Sequence, residues 1–381
     1  MPEGVFFRTI PSRVYSTLLL ARRAILQKIS FSGLRLRTNL FPNSYHFLMT
    51  NYCNARCIFC DQKPADGSGK EITLEVFKRM ISHIPTGSAR TFFFSGGGEP
   101  LLCADLFGII DYVGSNFPWI KTILVTNGIL IEKYARELAQ SSISGIHISI
   151  HGYDNESDYI TQRIGSIKCV IGGIEELKQY LVLYKRTVSV RFFCVVSELN
   201  IRKIHNLIRI ASELEVKSVG VYMCRYYAHK ISDMLRVEHS LFYHQAIYND
   251  IIRDAEKLAR SLNMRFSHPP LFGEPFVKRM CLMPWSVMLV DWDGTVYPCC
   301  GGEVVFFDKV RSGEYYFGNL LEEHVGEFWN NETYISLRRT CSPLYATRSI
   351  HECENCHQSI CLRGPDVVES HIINPPTPKQ V

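Results

Sequence analysis

The sequence predicts an α/β protein with a parallel sheet of six strand–helix units, followed by a smaller cysteine-bearing C-terminal domain. Three observations carry this. From Tyr45 to about Asn263, short apolar runs alternate with helical patterns. The runs read as near-continuous apolar stretches, as in parallel strands covered on both faces. After Asn263 the rhythm ends at His268-Pro-Pro and Glu274-Pro275, which mark a linker.

The strand candidates are Tyr45–Thr50, Thr91–Ser95, Thr122–Thr126, Ile146–Ile150, Val188–Val195 and Ser218–Met223, all rich in β-branched and aromatic residues. Helix candidates lie between and after them at Leu74–Ile84, Asp105–Gly114, Ile131–Gln140, Lys168–Leu183, Ile201–Leu214 and Ser240–Leu262. Serial strand–helix units imply right-handed crossovers and a parallel sheet, open or closed. Beyond the linker, Ser286–Val290 and Thr295–Pro298 flank an Asp293-Gly294 turn and predict a hairpin. A further helix is expected over Leu321–Arg339, and residues 365–381 read as a disordered tail.

The chain has 381 residues, 46% hydrophobic and 21% charged, which fits a globular protein of two or three domains. Its net charge of +5 is unevenly spread. Residues 1–44 carry seven Lys and Arg against Glu3, or +6, which leaves −1 for the rest. The basic character belongs to an N-terminal arm, so the body gives no case for nucleic-acid binding. The arm's mildly amphipathic Val14–Ile29 reads as a helix packed on its own domain; weak contact with an anionic membrane surface is the other reading. No stretch reaches the ~18–20 apolar residues that span a bilayer. The 14 cysteines, without a convincing signal peptide, point to metal binding in a reducing cytoplasm rather than to disulfides.

Cys53-Asn-Ala-Arg-Cys57-Ile-Phe-Cys60 follows the first predicted strand, where parallel α/β folds gather reactive groups. Three thiolates can hold three corners of a cubane cluster and leave the fourth iron open. Zinc is the alternative metal, but its structural sites normally use four ligands. Ser95-Gly-Gly-Gly-Glu-Pro100 follows the second strand, and its glycines let the backbone approach a ligand closely. Thr126-Asn127-Gly128 ends the third strand, and Ser149-Ile-His151-Gly152 the fourth.

The C-x₃-C-x-φ-C triplet, with Phe59 as the aromatic, resembles the radical S-adenosylmethionine (SAM) superfamily. The resemblance covers about residues 45–265 and implies a partial (β/α)₆ TIM-type barrel. By it, Cys53, Cys57 and Cys60 hold a [4Fe–4S] cluster. SAM chelates the open iron and is reductively cleaved to a 5′-deoxyadenosyl radical, which abstracts a hydrogen atom from substrate. Phe59 is implied near the adenine, and Gly97, Gly98 and Glu99 at the SAM amino group. Ser149 is implied at the ribose or carboxylate, with Asn127 nearby and Arg163 as a partner for the SAM carboxylate. His151 departs from the family, which often places an Asp there.

Cys281-x₁₂-Gly294-x₄-Cys299, with the later Cys353-x₂-Cys356, forms a second group able to close a four-ligand site. This segment, with Gly318-Asn-Leu and a Trp329-bearing helix, resembles the SPASM/twitch extension. The resemblance implies one auxiliary [4Fe–4S] cluster on Cys281, Cys299, Cys353 and Cys356. Cys300 and Cys341 are spare thiols, and Cys361 falls one residue early for the full seven-cysteine pattern. Cys103, Cys169, Cys194 and Cys224 read as small core residues.

The domain boundaries expected are 1–44 for the arm, 45–265 for the barrel, 266–364 for the auxiliary domain and 365–381 for the tail. The function expected is an oxidoreductase acting on a small polar metabolite of the sugar or aminocyclitol type, with the auxiliary cluster as electron acceptor. Modification of a precursor peptide is the alternative. The family implies a flavodoxin or ferredoxin reductant. Tyr222 and Arg225, at the end of the sixth strand, are candidates for the catalytic rim.

Overall fold

The computed structural model describes residues 35–60, 69–224, 234, 237–273, 281–299 and 306–342. The expected arm up to residue 34, the expected tail, Arg225, Cys300, Cys353, Cys356 and Cys361 lie outside them.

The six predicted strands form, with shifts of at most two residues: β1 Ser44–Leu48, β2 Thr91–Ser95, β3 Lys121–Thr126, β4 Gly145–Ser149, β5 Ser189–Val196 and β6 Ser218–Met223. Each pairs in parallel with the next. A regular one-strand step at each crossover is what a partial barrel requires. A short β7, Arg265–Ser267, continues the sheet beyond β6. At the other end β8, Val287–Val290, pairs in parallel with β1, and β9, Val296–Tyr297, pairs antiparallel with β8. The sheet therefore runs β7-β6-β5-β4-β3-β2-β1-β8-β9. The hairpin beyond the linker is not separate from the barrel sheet; it extends it.

The helices follow in turn: α1 Leu74–Ser82, α2 Leu106–Asn116, α3 Ala135–Gln140, α4 Asn155–Thr161, α5 Ser166–Leu183, α6 Ile204–Glu213 and α7 Gln245–Ser261. Helix α1 shows the local logic. Thr73 caps it, its Oγ1 accepting from Val76 N at 3.3 Å, and Phe77, Met80 and Ile81 form the buried stripe. Alternate strand residues meet these helices: Tyr45, Phe47, Phe92, Phe94, Ile146, Ile148 and Phe192 are almost wholly buried. Each large side chain so buried contributes roughly 1.5–3 kcal/mol. The intervening residues, among them His46, Phe93, His147, Ser149, Arg191 and Phe193, are only partly buried. The strands thus alternate between a helix-covered face and a more open inner face, where the sequence reading expected cover on both.

Helix α4 was not anticipated; Asp154 and Gln162 bracket it in left-handed backbone conformations. The helix expected over Leu321–Arg339 is two: α8 and α9 being Met283–Ser286 and Phe307–Arg311, these are α10 Val325–Phe328 and α11 Glu332–Cys341. Asn331 makes the break, its Oδ1 capping α11 at Tyr334 N, 2.9 Å. The β8–β9 turn needs Gly294, whose φ is +81° and where a Cβ would lie 2.4 Å from Asn319 Oδ1. Arg311 fastens this turn by pairing with both Asp291 and Asp293.

Candidate active site

The cysteine loop leaves the C-terminal end of β1 and is pinned from three sides. From β2, the glycine-rich turn donates Gly98 N to Thr50 O at 2.8 Å and Glu99 N to Tyr52 O at 2.6 Å. Only glycine fits at 98, since a Cβ there would lie 1.9 Å from Tyr52 O. From α4, Thr161 O accepts from Arg56 N at 3.0 Å and Ile160 O from Ile58 N at 2.8 Å. Just beyond α4, Arg163 Nη1 donates to Asn54 O at 3.0 Å. From β3, Asn127 Nδ2 donates to Asn54 Oδ1 at 2.7 Å and reaches Cys53 Sγ at 4.0 Å.

Glu99 is the keystone of this arrangement. Its carboxylate is 1% exposed and accepts three hydrogen bonds: Thr126 Oγ1 at 2.6 Å and Leu101 N at 3.1 Å on Oε1, Asn127 N at 2.7 Å on Oε2. Burial holds the carboxyl above its ordinary range against the pull of these donors. The side chain that the family resemblance assigns to the SAM amino group also ties β2 to β3. The backbone of the turn at Gly97 and Gly98 lies beside it.

Burial, with the neighbouring Cys53 adding to it, pushes the Cys57 thiol up to about 12; burial also raises Cys53. Cys60 is exposed, its N–H bonded to Cys57 O at 3.0 Å. Among the described residues no three His, Cys, Asp or Glu side chains converge on a point fit for one metal ion. Asn54 Nδ2 is a buried donor without a partner, beside Cys53. Three thiols on one loop, an orphaned donor and a backbone cradle that excludes a Cβ fit a cluster with a bound polar ligand. Phe59 packs edge-on against His151, centroids 5.8 Å apart. His151 accepts from Val195 N at 3.2 Å, and burial lowers its pKa to about 4, so it is neutral. Ser149, the last residue of β4, lies beside Phe193 of β5, and Tyr222, 53% exposed, stacks on Phe193 at 5.5 Å.

Of the second group, Cys281 and Cys299 lie among the described residues. The thiol of Cys281 is hydrogen-bonded with that of Cys341, which holds Cys281 below the ordinary thiol range. Sequence reading left Cys341 as a spare thiol, because it sits outside the motif spacing on the last turn of α11. Arg338, one helical turn earlier, brings the two segments together. It is fully buried, and its Nε donates to Pro284 O at 3.1 Å. Its Nη1 donates to Leu36 O at 3.0 Å and Asn330 Oδ1 at 2.9 Å. The guanidinium lies 4.4 Å from the Trp329 ring centroid and 5.2 Å from that of Tyr334. Burial lowers its pKa to about 10, which leaves it charged at neutral pH. Cys299 is near Tyr334 on the same helix. Cys103, Cys194 and Cys224 are buried, as expected of core residues, and Cys169 is partly so.

Comparison with known proteins bears on both regions. The radical SAM superfamily model matches residues 47–211, and the SPASM iron–sulfur cluster-binding domain model matches residues 281–357. The chain carries a radical SAM superfamily domain followed by a SPASM domain. Radical SAM and SPASM domains imply a SAM-binding [4Fe–4S] cluster and auxiliary iron–sulfur clusters. Among curated relatives, a probable GTP 3′,8-cyclase of Archaeoglobus fulgidus is 34% identical over 143 residues, 37% of this chain and 45% of that protein. The GTP 3′,8-cyclase of Alkaliphilus metalliredigens is 32% identical over 145 residues, 36% of this chain and 44% of its own. The chain thus spans under half the length of these relatives. Among solved structures, Streptococcus suis SuiB superposes with a TM-score of 0.64 at 18% identity, covering 94% of this chain and 80% of SuiB. The anSMEcpe structure with bound AdoMet superposes with a TM-score of 0.58 at 18% identity, covering 87% of this chain and 99% of that one. These are likenesses of fold that extend over most of the chain.

Proposed function

We propose that the chain is a radical SAM oxidoreductase that removes a hydrogen atom from a small polar metabolite held on the inner sheet face. The cysteine loop pinned between the Gly98 turn, Asn127 and α4 carries this reading. In it Cys53, Cys57 and Cys60 hold the catalytic cluster, and Cys281, Cys299, Cys353 and Cys356 the auxiliary one. When bound, the cluster and SAM supply a 5′-deoxyadenosyl radical on reduction, the reductant being of flavodoxin or ferredoxin type. Gly97 and Gly98 present backbone polar groups to the SAM amino group. Asn127 fixes the loop through Asn54, and Arg163 braces it at Asn54 O while its remaining N–H groups face the ligand carboxylate. Phe59 and neutral His151 wall the adenine side, and Ser149 offers a hydroxyl at the strand end. Tyr222, stacked and exposed, lies at the substrate rim.

Peptide modification is the second reading. Its support is the likeness of fold to SuiB, one of whose structures is described as bound to precursor peptide SuiA, across 97% of this chain.

Anaerobic iron and sulfide counting tests the assignment. Wild type is expected to hold about eight irons and a Cys53/Cys57/Cys60→Ala variant about four. Reduced wild type should release deoxyadenosine and methionine from SAM. A fully loaded, reduced enzyme that never does so sinks the proposal.

A further inference from the structure

We infer that Arg191 anchors the substrate through an oxyanion, a carboxylate or a phosphate, on the inner face of the sheet. The inference rests on the proposed use of that face for substrate.

Arg191 stands on β5 opposite His147 of β4, two residues before the position where Ser149 and Phe193 are paired. At ~3.3 Å per residue, that puts it about 7 Å along the strand from Ser149, on the side away from the cysteine loop. Its neighbours Phe192 and Cys194 point into the helix-covered core, so Arg191 belongs to the inner face. Its guanidinium is already held in place. Nε donates to Ser218 Oγ at 3.1 Å, and the group lies over the Phe193 ring, 5.1 Å from its centroid. Among the described residues the two terminal nitrogens find no hydrogen-bond partner, and no carboxylate lies within ion-pair distance. A fixed fork with free N–H groups is preorganised for bidentate binding of an oxyanion.

The surroundings favour an anion over other ligands. His46 and His147 share this face, His46 stacked on Phe93 at 4.3 Å and His147 tilted against Phe193 at 4.9 Å. Burial lowers both imidazoles to about 4, so they are neutral at physiological pH. Glu99, whose charge acts on Cys53 and Cys57, has its carboxylate turned into the β2–β3 latch. Arg191 therefore brings a positive charge to this wall, beside Phe193 and Tyr222. Such a wall repels an ammonium group and attracts an anion with an apolar or planar body. Anchoring the anion deep in the face leaves the remainder of the molecule to reach back toward Ser149 and the cluster loop, where the hydrogen is removed.

Isothermal titration of anaerobic, SAM-loaded full-length protein with inorganic pyrophosphate, and separately with succinate, tests this. Wild type should bind at least one of the two at about one per chain; pyrophosphate alone marks a phosphate site and succinate alone a carboxylate site. Arg191→Gln should weaken that binding roughly 10- to 100-fold, the loss expected for charge-assisted bonds. Arg191→Lys, which keeps the charge without the fork, should fall between them. Iron content and far-ultraviolet circular dichroism establish that each variant is folded. Wild type that binds neither probe, or Arg191→Gln within twofold of wild type, overturns the inference. Wild type that binds a probe through Arg191 yet never cleaves SAM overturns the proposed function and leaves the anion site standing.

Discussion

Replacing Glu99 by glutamine tests whether the acid of the glycine-rich turn is a structural latch. The carboxylate accepts from Thr126 Oγ1, Leu101 N and Asn127 N, all in the core. An amide has one accepting oxygen. If its NH₂ takes the Oε2 position it meets the Asn127 N–H; if it takes Oε1 it meets the Leu101 N–H, although the Thr126 hydroxyl can turn to accept. In both orientations one buried backbone donor is left unpaired, which costs about 1–3 kcal/mol, and the surviving bonds lose their charge assistance. Relief of carboxylate desolvation offsets part of this, so the net expectation at pH 7.5 is a loss of about 2 kcal/mol. Urea unfolding of the anaerobic protein, followed by far-ultraviolet circular dichroism, measures it. The sign of the pH dependence is a second check. Because burial raises the folded-state pKa of Glu99, wild type gains stability as pH falls through that value, and the deficit of Glu99→Gln should widen on acidification. A variant within ~0.5 kcal/mol of wild type, or a deficit that closes as pH falls, refutes the latch.

Two further outcomes follow from buried groups. Arg338→Met keeps most of the side-chain volume but strands the acceptors at Pro284, Leu36 and Asn330, so a loss of about 3 kcal/mol is expected in the same unfolding assay; a loss under ~1 kcal/mol contradicts the role assigned to the guanidinium. His46, neutral when folded with a pKa near 4, takes up its proton in the unfolded chain first, so the stability it contributes is full above ~6.5 and drains away down to 4. Between pH 8 and 5 wild type should therefore lose about 2 kcal/mol more than His46→Phe, which preserves the stack on Phe93; equal losses count against a buried neutral imidazole.

Much of the barrel was legible in the sequence because its signals are local. Six apolar runs, each followed by a helical period, were enough to place β1 to β6 within two residues, and the cysteine triplet and Gly-Gly-Glu turn fell at the ends of β1 and β2 as read. The errors lie where local pattern carries no information. Helix α4 is short and polar, closed by left-handed residues rather than glycine or proline, so nothing in its composition announced the element that braces the cysteine loop. Asn331 caps a second helix inside a pattern that reads as continuous.

The sequence by itself determined which chemistry the chain is equipped for, since ligand type and spacing within one loop survive any rearrangement of the rest. Tertiary structure alone decided which residues meet across distance. It joined Glu99 to Thr126 and Asn127 as a latch between β2 and β3. It brought Cys341 to Cys281 over 60 residues of chain, and it joined the β8–β9 hairpin to β1. Contacts of this kind depend on strand register and on which face of a helix is buried. Both are fixed only when the whole sheet closes on its core.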